Sequence, residues 1–167
     1  FVQPHAALSF NDHHSESHVP GRHLNGLLNA EDVLGIELDE GAVDNHRRAA
    51  FLSFSGPFAL PLNRHTVDGH PVLFHPHNLR EGMHALYALV RYRGDDEARE
   101  MAQRCIADVL DLWDPQGGWQ WERLRGAGID FGDPPGFILG EGRMIGPLVK
   151  YYRATGHGPA LDLALAM

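Results

Sequence analysis

The sequence predicts an all-α fold made of antiparallel helical hairpins. Three observations carry that expectation. Apolar residues recur at helical spacing in six segments bounded by glycine, proline and capping side chains. Two stretches share one pattern, ALVRYRGDDEAREMA (88–102) and PLVKYYRATGHGPALDLA (147–164). Each runs from an apolar helix end through Tyr-Arg and a glycine turn into an Ala/Leu helix, and LLNAEDVLGIELDEGAVDNHRRAA (27–50) is a weaker third copy. Finally, short turns inside the pairs alternate with connections of about 23–25 residues between them, far longer than ordinary helix–helix loops.

The first helix is expected over 21–34, where Leu24, Leu27, Leu28 and Leu34 share helical spacing and Gly35 provides a stop. Glu31 falls on that apolar stripe, and the plain reading is an ion pair with an arginine. The second helix is expected over 39–54, with Ala42, Val43, Ala49, Ala50 and Phe54. A stretch with prolines at 57, 61, 71 and 76 follows. The third helix, 78–92, carries Met83, Leu86, Tyr87 and Val90 on one stripe and Ala85, Ala88 and Leu89 beside it, so it is expected to be buried all round. Asp95 or Asp96 caps a fourth helix that ends near Trp113. After a second long connection, 114–137, a fifth helix spans 140–153. Pro159 then opens a sixth that is still apolar at Met167.

The bulk numbers narrow the function. With 43% apolar residues, 167 residues make one domain, 1–167, with a real core. A net charge of −8 and the lack of a basic stripe argue against nucleic acid as a partner. No run of 18 apolar residues exists, so no membrane span is expected. The single cysteine, Cys105, excludes an intrachain disulfide framework, reads as a buried thiol, and favours a reducing, cytoplasmic setting. Lysine occurs once, at Lys150; the other 13 of the 14 cations are arginine, which suits recognition of carboxylate or phosphate. The oligomeric state stays open.

Alternating short and long connections bring all the long loops to one end of the domain, with the starts of the first, third and fifth helices. The polar chemistry collects there. NDHHSESHVPGRH (11–23) holds Asp12, His13, His14, Glu16, His18, Arg22 and His23. The start of the third helix holds His75, His77, Arg80, Glu81 and His84, and the fifth is led in by Trp119, Trp121, Asp130, Glu141 and Arg143. Nine of the twelve histidines fall in 11–23 or 65–84, so this end reads as the rim of a pocket for a polar, oxygen-rich ligand. Glu81 and His84 share a helix face, either as an acid/base pair or as mutual braces. Trp119 and Trp121 read either as a stacking platform or as plugs beneath a loop. No HExxH, G-x-S-x-G or complete GxGxxG occurs, so neither a cofactor nor a metal is expected.

The turn Tyr-Arg-Ala-Thr-Gly-His (152–157), and SFNDHHSESHVPGRHLNGLLNAEDVLGI (9–36), resemble the six-hairpin glycosidases and the uncharacterised bacterial proteins grouped near them. That resemblance implies an (α/α)6 toroid, of which this chain holds about three hairpins. The start at Phe1 and the break inside an apolar helix at Met167 lead to the expectation of a segment of a longer chain. The resemblance also implies a carbohydrate substrate and a glycoside hydrolase working through two carboxylates, on an oligosaccharide that can include a uronic acid. Asp12, Glu16, Glu81, His84 and Glu141 are then the catalytic candidates. His13, His14, His18, Arg22, His23, His75, His77, Arg80, Trp119, Trp121 and Arg143 are the candidates for binding sugar. A polysaccharide lyase or a sugar epimerase on the same scaffold would use histidines instead. A non-catalytic helical repeat is the alternative from another class, and it predicts apolar rather than charged loops.

Overall fold

The computed structural model describes residues 16–64, 73–131 and 140–167. Seven α-helices account for most of them: α1 (His18–Leu34), α2 (Glu40–Ser53), α3 (Asn78–Arg93), α4 (Asp96–Leu112), α5 (Trp121–Gly126), α6 (Ile145–Thr155) and α7 (Gly158–Ala166). The fold is all-α and its units are antiparallel hairpins, α1/α2, α3/α4 and α6/α7.

Contacts fix the directions. Gly21 meets Glu81 near the starts of α1 and α3, and Asn29 meets Tyr92 near their ends, so these two helices run parallel. Lys150 lies over Tyr87, and Arg153 shares a cavity with Arg91, so α6 runs the same way beside α3. The returning helices pack behind: α4 touches α7, and the backbone carbonyl of Arg99 accepts a hydrogen bond from Tyr151. The starts of α1, α3 and α6, to which the long connections lead, therefore lie at one end.

Local chemistry explains the elements. Asp39 and Asp95 cap α2 and α4 by accepting hydrogen bonds from Ala42 N–H (3.1 Å) and Ala98 N–H (3.0 Å). Gly94 closes α3 in the left-handed region (φ 63°), where a Cβ would be strained. Helix α1 starts three residues before the expected position. Pro20 is tolerated there because the first-turn N–H groups have no helical partner to lose. The fifth expected helix opens as one 3₁₀ turn, Glu141–Met144, before α6 takes over.

α3 is the centre of the core. Leu79, Met83, Leu86 and Leu89 are essentially inaccessible, and Ala85, Ala88 and Val90 are buried beside them. The expectation of burial all round needs one correction. Arg80, His84, Tyr87 and Arg91, spaced at helical intervals, stay half-buried or exposed and form a polar stripe. The closest packing is between α1 and α3. A Cβ built on Gly21 would stand 1.9 Å from the Glu81 carbonyl oxygen, so only glycine permits this approach.

Short strands tie the long connections together. β1 (Leu62–Asn63) pairs antiparallel with β2 (Leu73–Phe74), and β2 pairs in parallel with β5 (Asp130–Phe131). β3 (Trp113–Asp114) and β4 (Gly118–Trp119) form a separate hairpin. Among the described residues, no helix is long and apolar enough to cross a membrane.

Candidate active site

The long-loop end is assembled from the starts of α1 and α3 and the 3₁₀ turn before α6. Asp12, His13 and His14 lie outside the described residues. The other candidates can be placed one by one.

Glu81 sits in the first turn of α3 and is 2% exposed. It accepts hydrogen bonds from Arg80 Nε (2.8 Å) and Nη2, and from Arg22 Nε (3.2 Å) across the α1–α3 contact. Burial opposes its charge, but the hydrogen bonds and positive charges of the two arginines outweigh burial, so its pKa is lowered. Glu81 is thus a carboxylate at neutral pH. The Arg22 side chain is 56% exposed, and its guanidinium carries further N–H groups besides the Nε that bonds Glu81.

His84 lies one turn further along α3, half-buried. Among the described residues its Nδ1 is buried and has no hydrogen-bond partner. Burial first, then the charge of Lys150 on α6, push its pKa down to about 4 against the pull of Glu81. At neutral pH it is an uncharged imidazole. Glu81 and His84 therefore hold different charge states one helical turn apart.

Glu16 is buried just before α1. It accepts from the backbone N–H of Arg64 (3.1 Å), and its Oε2 lies 3.2 Å from Arg64 Nη1, the distance of an ion pair but not the alignment of a hydrogen bond. Burial outweighs these contacts and raises its pKa. His18 Nδ1 lies 3.4 Å from Asn78 Oδ1, and its ring stands edge-on to His77 at 6.0 Å. His75, buried, lies 5.6 Å from His77 and 6.4 Å from Phe131 of β5.

The aromatic candidates divide. Trp119 is buried edge-on against Phe74 at 4.8 Å, and its indole N–H donates to Glu141 at 2.5 Å. Trp121 is half-buried against Phe131. Together they line an open cavity of about 360 Å³ with Gln120, Glu122 and Arg123. Arg143 lies half-buried on the 3₁₀ turn. His23 turns away to α2, where its Nδ1 is 3.2 Å from His46 Nε2.

Three residues were missed by sequence reasoning. Arg64 follows a proline-rich stretch with no period to mark it. Asn78 opens α3 and is fully buried, a place where a short amide serves helix starts. Lys150 stood out only as the chain's one lysine. Glu31, expected to pair with an arginine, meets Arg93 at 2.7 Å and accepts from Leu38 N–H. Among the described residues, no three His, Cys, Asp or Glu side chains converge in a way that would hold a metal ion.

No protein-family model matches the chain, and no curated protein matches it. A solved structure does: the crystal structure of a sugar epimerase from a ruminal bacterium superposes with a TM-score of 0.63 at 19% identity. The match covers 95% of this chain and 44% of that one, so the chain spans under half the length of the protein it resembles. At this identity the likeness is one of fold.

Proposed function

We propose that this chain belongs to a sugar-processing enzyme, an epimerase that moves a proton at the carbon beside a sugar carbonyl, and that its hairpins are part of an (α/α)6 toroid. The observation that carries the reading is His84: a neutral imidazole whose buried Nδ1 has no hydrogen-bond partner among the described residues, next to a carboxylate clamped by two arginines.

The chemistry follows from the charge states. In an open-chain sugar, the C–H next to the carbonyl is acidic because the resulting negative charge spreads onto oxygen. A base removes that proton, and its return on the opposite face inverts the carbon. A base must be uncharged or anionic at working pH and have a lone pair to offer, which suits His84. Its low pKa makes it weak in the empty site, but the negative charge developing beside it raises its basicity as the proton moves. Arg22 and Arg80, with Glu81 holding them in place, are suited to receive the oxyanion. His18 and His77 supply further imidazoles at the same end.

A glycoside hydrolase is the second reading, and Glu16 favours it. A buried carboxyl with a raised pKa is what protonation of a glycosidic oxygen requires. Against this, Glu81 is held ionised by two arginines and Glu141 is engaged by Trp119, so the partner carboxylate is already committed.

The test is a panel of aldoses, ketoses and disaccharides, with and without uronic acids, followed by NMR and by absorbance near 235 nm. An epimer appearing without new reducing ends supports the proposal. New reducing ends would transfer the assignment to hydrolysis, and an unsaturated absorbing product would transfer it to a lyase.

A further inference from the structure

We propose that the groove between α3 and α6 binds a phosphate group. A cavity of about 270 Å³ lies there, lined by Tyr87, Arg91, Lys150, Arg153 and Ala154. Three cations from two helices converge on it, and no carboxylate lines it. Among the described residues none of the three forms an ion pair, whereas eight other arginines do. In a chain of net charge −8 whose single lysine is at this spot, the concentration of positive charge is pronounced.

A plainer account covers part of it. Arg91 and Arg153 lie in the last turns of their helices, where cations meet the negative end of the helix dipole. It does not account for Lys150, which lies before the last turn of α6, or for the aim of all three at one cavity. Arg91 also borders a second cavity beside Glu31 and Asp32, but Glu31 is already taken by Arg93. Among the described residues Lys150 and Arg153 form no ion pair, and no carboxylate lines the cavity they share. Like charges gathered without a counterion repel, and an anion in the groove removes that cost.

The chemistry selects phosphate. Guanidinium groups present paired N–H donors that match tetrahedral oxyanions, and a phosphate monoester carries nearly two negative charges at neutral pH against the single charge of a carboxylate. Free phosphate and a phosphorylated small molecule share this chemistry. The Tyr87 ring, with Lys150 Nζ 5.7 Å from its centroid, offers a flat face to the organic part of an ester. The groove adjoins the Glu81–His84 cluster, since the Lys150 charge also acts on His84, but the proposal does not depend on the epimerase reading.

Calorimetric titration of the full chain tests it, with inorganic phosphate, glucose 6-phosphate and glucuronate at constant ionic strength, and the same series on K150Q/R153Q. Both substituted residues are exposed, so the double variant should keep its circular dichroism and Tm. The expected result is binding of a phosphate compound, weakened about tenfold or more in the double variant. Tighter binding of the sugar phosphate would assign an ester, and equal binding would assign the free anion. The proposal is overturned by no binding of either phosphate up to about 10 mM, by undiminished affinity in the double variant, or by glucuronate binding equally well.

Discussion

At the scale of residues, Glu81 and His84 matter most because their surroundings hold one as an anion and the other uncharged at neutral pH. His84→Ala should lower turnover about 10²- to 10⁴-fold, as loss of a positioned base does, with Tm little changed. A collapse in Tm with the same specific activity per folded molecule would make His84 structural. Lys150→Gln should raise the His84 pKa above about 4, because it removes a repelling charge, and an NMR titration of the imidazole would show it. Glu81→Gln should cost about 1.5–3 kcal/mol at neutral pH, the range for hydrogen bonds to charged groups. The pH dependence has a definite sign. The folded Glu81 pKa lies below its ordinary value of 4.5, so its contribution is complete above that value and fades as pH falls through the folded pKa. His84 acts in the same direction. Its folded pKa is depressed from 6.5 to about 4, so the unfolded chain binds more protons between those values and stability falls as pH drops through them. Urea melts at pH 7 and pH 4 should therefore differ less in His84→Ala than in the parent. These residues were legible in the sequence as a polar cluster at a helix start. Their charge states were not, because they depend on burial and, beyond the adjacent Arg80, on Arg22 and Lys150, 59 residues before Glu81 and 66 residues after His84.

At the scale of elements, the α1–α3 contact positions the site. Gly21→Ala would drive a methyl into the Glu81 backbone and should destabilise by about 3 kcal/mol or more, the upper range for overpacking. It should also reduce activity, since Glu81 and Arg22 meet across that contact; unchanged stability would mean that the helices separate freely. Asp95→Ala removes both the cap of α4 and a partner of Arg47, whose Nε donates at 2.6 Å, and should cost about 1–3 kcal/mol. The helices were legible because apolar period, caps and glycine stops agree within each segment. The strands were not, because two residues have no period and their pairing joins segments as distant as Leu73 and Asp130. Helix α5 was hidden for a related reason: six residues with one buried side chain, Leu124, leave no stripe.

At the scale of the molecule, hairpins joined alternately by short and long connections put the starts of α1, α3 and α6 and their described charged side chains at one end. That arrangement was readable from connection lengths alone. What that end does was not, since hydrolase, lyase and epimerase readings use the same residue types and differ in the role each group takes. The proposal of proton transfer rests on His84, an uncharged imidazole whose buried Nδ1 has no hydrogen-bond partner among the described residues. The most direct measurement is solvent exchange: the active chain and its His84→Ala variant would be incubated with the accepted sugar in D₂O, and the carbon beside the carbonyl followed by NMR. The account predicts deuterium at that carbon in both epimers with the parent chain, and its loss in the variant. Product formed without deuterium at that carbon, or exchange as fast in His84→Ala as in the parent, would contradict it.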